Sequence, residues 1–175
     1  GYGSLFFARE AFLFGLGGDD NLIADCRVDE FLGDYASCIV VFGGSRSVIR
    51  GCRVRADGFT TMAYGGWGCF DAVIENNFAD GARAAVNFDS LLNRNVIVRN
   101  NQFLDCREIG ILVNVSGRPA RGQANMTLST GTTTTNICHS RMEGLWIDRN
   151  LVELQAGAQY GAVQVQAAGL QNARI

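Results

Sequence analysis

One frame of apolar, turn and apolar positions recurs along the chain and constrains the fold more than any other feature. In residues 95–115, NVIVRNNQFLDCREIGILVNV, Val98 is followed three residues later by Asn101 and two residues after that by Phe103. The same frame fits Ile23, Cys26 and Val28; Ile49, Cys52 and Val54; Val73, Asn76 and Phe78; and Ile147, Asn150 and Val152. The first members lie 26, 24, 25 and 49 residues apart, so the last interval holds one coil with a long insertion. A repeat of this length, built from short strands, stacks its units into a β-solenoid, because no single unit buries its apolar face alone.

Each column of the frame has a physical task. The first is always Ile or Val and the third always Val or Phe, residues suited to a strand facing a dry interior. The middle column runs Cys26, Cys52, Asn76, Asn101, Asn150. Stacked coils place equivalent residues roughly 4.8 Å apart. An inward Asn at a tight turn then bonds backbone groups and the Asn of the next coil, satisfying polar groups that are costly to bury. Immediately before the first column stand Leu22, Val48, Ala72, Ile97 and Trp146, which strand alternation turns outward as an apolar stripe. Either neighbouring loops or a local bulge cover that stripe, or it is a contact with a flanking domain or in a homotrimer of parallel shafts.

Composition bounds the rest. The 175 residues suffice for one domain with a substantial core, and 22 glycines with a single proline suit a solenoid of many turns. A net charge of −2 gives no reason to expect nucleic acid as a partner, and no stretch is long and apolar enough to span a bilayer. All 15 basic residues are Arg, which removes lysine-based mechanisms from this segment. The six cysteines form no CxxC pair and the single His cannot complete a zinc site with them, so neither a metal nor another cofactor is implied. Cys26 and Cys52 share a column within disulfide reach, but side chains in register on parallel strands point the same way, which favours free thiols over a bridge. Residues 1–16 lack the form of a signal peptide, and residues 172–175 repeat the opening of a coil, so residues 1–175 read as a single uncapped β-helix segment of a longer protein. Residues 116–143, with the only Pro, the only His and a Thr-rich run, read as a long loop excursion.

With its coils and asparagine column, the chain resembles the right-handed parallel β-helix of the pectate-lyase-like superfamily, over about residues 10–175. The resemblance implies an all-β fold of about five to six coils of roughly 25 residues. It also implies a ligand groove along the parallel sheet formed by the last strand of each coil, walled by loops. Aligning Met62, Val86, Ile111 and Val163 as inward residues gives an outward column of Gly65, Asp89, Asn114 and Gln166, with Asn87 beside it. These form a candidate sugar-facing strip, with Trp67 and Tyr64 placed to stack on a ring; the alternative is ordinary solvent-facing turn residues.

Glycoside hydrolysis needs two carboxylates about 5–10 Å apart, and Asp89 and Glu108 are the only such candidates near the strip. The same alignment sets Arg83 against Glu108 as a cross-strand ion pair. Leu145-Trp146-Ile147-Asp148 resembles the Trp-Ile-Asp-His stretch of pectate lyases, with Arg149 where the His should be. Arg118-Pro119-Ala120-Arg121 resembles their arginine–proline motif at a different spacing and position, and adds Arg118 and Arg121 to the carbohydrate-binding candidates. The reading is a carbohydrate-associated module of a protein that is secreted or at a cell or virion surface. It binds polysaccharide or cleaves it as a lyase or glycoside hydrolase. The alternative is a structural shaft, as in adhesins and tail spikes, without catalytic activity in this segment.

Overall fold

In the computed structural model every strand of the solenoid pairs in parallel with its equivalent one coil away. The structure describes residues 13–16, 19–31, 37–42, 44–56, 62–89, 92–115, 127–130, 133–136, 141–167 and 170–175. Three sheets form the walls. Sheet 1 holds Leu13–Leu16, Ser37–Phe42, Met62–Trp67, Ala84–Asp89, Ile109–Val115 and Val163–Ala167, in that order. Sheet 2 holds Leu22–Ala24, Val48–Arg50, Val73–Glu75, Leu92–Arg99, Arg141–Asp148 and Gln171–Arg174. Sheet 3 holds Arg27–Phe31, Arg53–Ala56, Phe78–Asp80, Gln102–Cys106 and Leu151–Leu154. No helix occurs among the described residues. The chain is thus an all-β parallel β-solenoid of about four turns, where the sequence suggested five to six coils.

The register confirms the repeat and corrects it by one residue in the third coil. Ile23, Ile49, Ile74, Val98 and Ile147 are successive partners on sheet 2. Val28, Val54, Ala79, Phe103 and Val152 are successive partners on sheet 3. Ile74 and Ala79 therefore replace Val73 and Phe78, and the buried polar residue of that coil is Asn77, not Asn76. The reason is backbone conformation at the corner. The residue before each ladder position is left-handed: Asp25, Gly51, Asn76, Asn100 and Arg149 have φ of 54, 62, 55, 54 and 50°. Asn and Gly adopt that conformation at little cost, whereas Glu75, which the slipped frame would put there, does not.

The corner hydrogen bonds run as a ladder through the interior. Asn77 Oδ1 accepts from Cys52 N–H at 2.9 Å, and Asn101 Oδ1 accepts from Asn77 N–H at 2.9 Å and from Asn77 Nδ2 at 3.1 Å. Asn150 Oδ1 accepts from Asn101 N–H at 3.1 Å and Asn101 Nδ2 at 2.9 Å. Each amide nitrogen also donates to a carbonyl of the preceding coil: Asn77 to Ile49, Asn101 to Ile74 and Asn150 to Val98. At the opposite end of sheet 2, Asp20, Arg46, Asp71, Asn95, Gly144 and Asn172 form another left-handed column. Near it the fully buried Asn93 accepts from Cys69 N–H at 3.0 Å, a polar corner the repeat frame did not reveal.

Sheet 1 closes the core with Ile39, Tyr64, Val86, Ile111 and Val163 in one column. Tyr64 holds the place assigned from sequence to Met62. It is fully buried, with its hydroxyl 2.6 Å from Phe78 O and 2.9 Å from Cys52 O. Small residues in the preceding column, Cys38, Ala63, Ala85 and Gly110, let the chain crowd the corner. A Cβ on Gly110 would meet Val152 Cγ1 and Ala162 O. Cys26, Cys38, Cys52, Cys69 and Cys106 are all free thiols, so Cys26 and Cys52 share a column without a bridge; Cys138 lies outside the described residues.

The long interval resolves into one step of the solenoid plus an insertion. Val98 pairs directly with Ile147, although 49 residues separate them, because Ile109–Val115 completes the coil before the chain leaves it. Within the excursion, Thr127–Thr130 and Thr133–Asn136 pair as an antiparallel hairpin. Arg141 already pairs with Leu92 in sheet 2, so the coil resumes at residue 141 rather than after residue 143.

The apolar stripe does face outward. Leu22, Val48, Val73, Ile97 and Trp146 are register partners, with Leu22 57% and Trp146 43% exposed. Val73 stands where Ala72 was expected, because the third coil is offset by one; Ala72 is buried. Among the described residues no helix is long and apolar enough to cross a membrane.

Candidate functional site

Sheet 1 carries several of the residues singled out from the sequence. Val86 and Phe88 point into the core, so Asn87 between them faces away from it. Its register partners are Gly65 on one side and Leu112 on the other, and Val40 and Gln164 complete the row. Gly65 therefore belongs beside Asn87, one row from where the sequence alignment placed it, because Tyr64 rather than Met62 is the inward residue. That glycine is required: a Cβ there would lie 2.9 Å from Asn87 O.

The neighbouring row is Asp89, Asn114 and Gln166, Cα partners across three adjacent coils. Trp67 follows Gly66, the partner of Phe88, and so stands level with Asp89. For these four residues the backbone position is what the structure describes. It brings them level with one another near the C-terminal ends of four adjacent strands of sheet 1. Arg118, Arg121 and His139 lie outside the described residues.

The rows differ from an open strip in one respect. Val40 is completely buried and Asn87 is 4% exposed, although both face away from the core. Asn87 Oδ1 is also buried without a hydrogen-bond partner. An unpaired buried acceptor costs about 1–3 kcal/mol, and native structures contain few of them.

Glu108 does not join this group. Its carboxylate lies 2.6 Å from Arg83 Nε, the cross-strand pair read from the sequence. Asp89 pairs with Asn114, six residues along the strand from Glu108, which places the two about 20 Å apart at ~3.3 Å per residue. A glycosidase pair spans about 5–10 Å. The expected pairing of Asp89 with Glu108 across one bond is therefore not formed, because they stand at opposite ends of adjacent strands.

Other reactive groups serve the core. Burial, with the nearby Cys52, pushes the Cys38 thiol up to about 12. Burial, with Asp105 and Asp80, does the same to Cys106. Tyr64 is raised further by burial and by Cys52 and Cys38. Such thiols stay protonated and are poor nucleophiles. Among the described residues, no cluster of three or more His, Cys, Asp or Glu side chains is arranged to hold a metal ion.

Outward charges are largely paired between coils: Arg99 with Glu75 at 2.7 Å, Arg94 with Glu143 at 2.9 Å and Arg55 with Asp80 at 3.7 Å. Comparison with known proteins adds no name to this geometry: no family model, curated protein or solved structure matches the chain.

Proposed function

We propose that this chain is a carbohydrate-associated β-solenoid module of a secreted or surface-exposed protein, binding a polysaccharide along the outer face of sheet 1 without cleaving it. The observation that carries this reading is the in-register row Asp89, Asn114 and Gln166, one residue from each of three adjacent coils. A sugar hydroxyl donates to an amide carbonyl, and a row of amides and a carboxylate at coil spacing matches a polymer of hydroxyl-rich units. The wide separation of Asp89 from Glu108 argues for binding rather than hydrolysis. Asn114→Ala, on the row itself, separates a binding amide from a structural one. If the reading holds, this variant stays folded by circular dichroism yet loses retention on a glycan array. Unchanged glycan retention, or no retention of any glycan by the parent chain, would overturn it.

A second reading, a structural shaft of the adhesin or tail-spike kind, is supported by the ion pairs that link successive coils outside the core. It expects no glycan binding from a chain that folds fully.

A further inference from the structure

We infer that sheet 2 is a self-association surface on which a second copy of this chain docks antiparallel, coil axis reversed, about a twofold axis between the coils of Val73 and Ile97. This surface lies on a different wall from the proposed glycan face and does not depend on it.

Three parallel columns run along the sheet. The central one is Leu22, Val48, Val73, Ile97, Trp146 and Arg174. On one side lies Ala24, Arg50, Glu75, Arg99 and Asp148. On the other lies the exposed left-handed column Asp20, Arg46, Asp71, Asn95, Gly144 and Asn172. An apolar column this long on an open sheet face is unusual for a protein surface, and the charges beside it select what covers it.

Rotation about an axis along the strand direction reverses the coil order but keeps each column facing itself. Val73 then meets Ile97 of the second copy, and Val48 meets Trp146. In the charged column Glu75 meets Arg99 and Arg50 meets Asp148, each twice by symmetry. In the left-handed column Asp71 meets Asn95 and Arg46 meets Gly144. No like charges are opposed in these three columns.

Docking the copies parallel instead reverses the strand direction and sets one flanking column against the other. Arg50 then faces Arg46, and Glu75 faces Asp71, which places like charges across the contact. Like-charge opposition is strongly unfavourable at an interface, so the pattern favours the antiparallel mode.

Shape agrees with charge. A groove of about 310 Å³ opens between Asn95, Ile97, Trp146, Asn172 and Arg174, at the side chain missing from Gly144. A Cβ on Gly144 would lie 2.6 Å from Asn95 Oδ1, so the gap is built in. Arg174 stacks over Trp146 at 5.1 Å along one wall. The reversed copy lays Val48 over Trp146 at this groove and Leu22, 57% exposed, over Arg174 at its rim.

Sedimentation equilibrium of the 175-residue chain at roughly 1–100 μM tests the proposal, with circular dichroism confirming that each variant is folded. The parent chain is expected to dimerise. Arg50→Glu should weaken the dimer at least ~tenfold by facing Asp148 with a like charge, and adding Asp148→Arg in the same chain should restore it. A monomeric or trimeric parent chain overturns the proposal. So does Arg50→Glu tightening association, the result expected of the parallel mode, and so does a folded double variant that fails to recover.

Discussion

Replacing Asn101 with Ala removes one link of the interior ladder, and the structure specifies what is left behind. Asn101 is 1% exposed. Its side chain accepts from Asn77 N–H and Nδ2, and donates to Ile74 O and Asn150 Oδ1. Asn77 Nδ2 keeps Ile49 O, and Asn150 Oδ1 keeps Asn101 N–H. Two groups lose their ladder partner, the Asn77 N–H and the second acceptor site on Ile74 O. Only the Asn77 N–H is left with no partner, so the loss is about 1–3 kcal/mol, a sizeable share of an ordinary domain's stability of about 5–15 kcal/mol. Gln102, the next residue, is exposed, and Gln102→Ala should change stability by less than about 0.5 kcal/mol. Urea unfolding followed by circular dichroism measures both. Equal midpoint shifts for the two variants, or a loss below about 1 kcal/mol for Asn101→Ala, would refute the ladder as a stabilising device.

Two further outcomes follow from the core. Because Cys38 and Cys106 have folded values near 12 against an unfolded value of 9.0, stability should be constant below about pH 9 and fall above it, as the unfolded thiols ionise first. The loss should reach about 1.4 kcal/mol per pH unit for each thiol, and Cys38→Ala should reduce the slope in urea melts at about pH 8 and 10; a flat profile would contradict it. Gly110→Ala should destabilise by about 1–3 kcal/mol or more, since its Cβ would enter Val152 and Ala162 O, whereas Gly161→Ala, with nothing within 4 Å, should be neutral or slightly stabilising. Similar melting temperatures for those two variants would argue against the tight corner.

The solenoid was readable because its period survives in residue type: β-branched residues at the inward positions and Asn or Cys at the corner. The third coil misled because VIENNFAD offers two adjacent frames, Val73–Asn76–Phe78 and Ile74–Asn77–Ala79, with apolar residues in both. The signal that separates them is the residue before the ladder position, which must tolerate a left-handed backbone. Asp25, Gly51, Asn76 and Asn100 do so readily; Arg149 does so at a cost, and Glu75 would do so less readily than Asn76. Sheet 1 slipped for a related reason. Tyr64 reads as a surface aromatic until its hydroxyl is seen to reach two backbone carbonyls inside the core. The candidate strip was legible as a register, since Asp89, Asn114 and Gln166 do align. The burial of Val40 and Asn87 on that face was not, because alternation reports which way a side chain points and not what lies over it. The distance between Asp89 and Glu108 was contained in the same alignment, which set Arg83, six residues before Asp89, against Glu108.

The bond from Asn101 to Asn150 has the same lengths as that from Asn77 to Asn101, 2.9 and 3.1 Å, although the first spans 49 residues and the second 24. Pitch and circumference are therefore independent in this molecule. The corner amides set how far each coil climbs, and the amount of chain used in going round does not enter. Lengthening the way round carries only a logarithmic entropic penalty, about 0.6 kcal/mol per doubling of a flexible loop. The gap between Val115 and Arg141 is thus a natural grafting port. A hairpin, a whole foreign domain or a minimal turn can be exchanged there while the coils above and below keep their spacing, so the frame and its appendages can diversify on separate schedules.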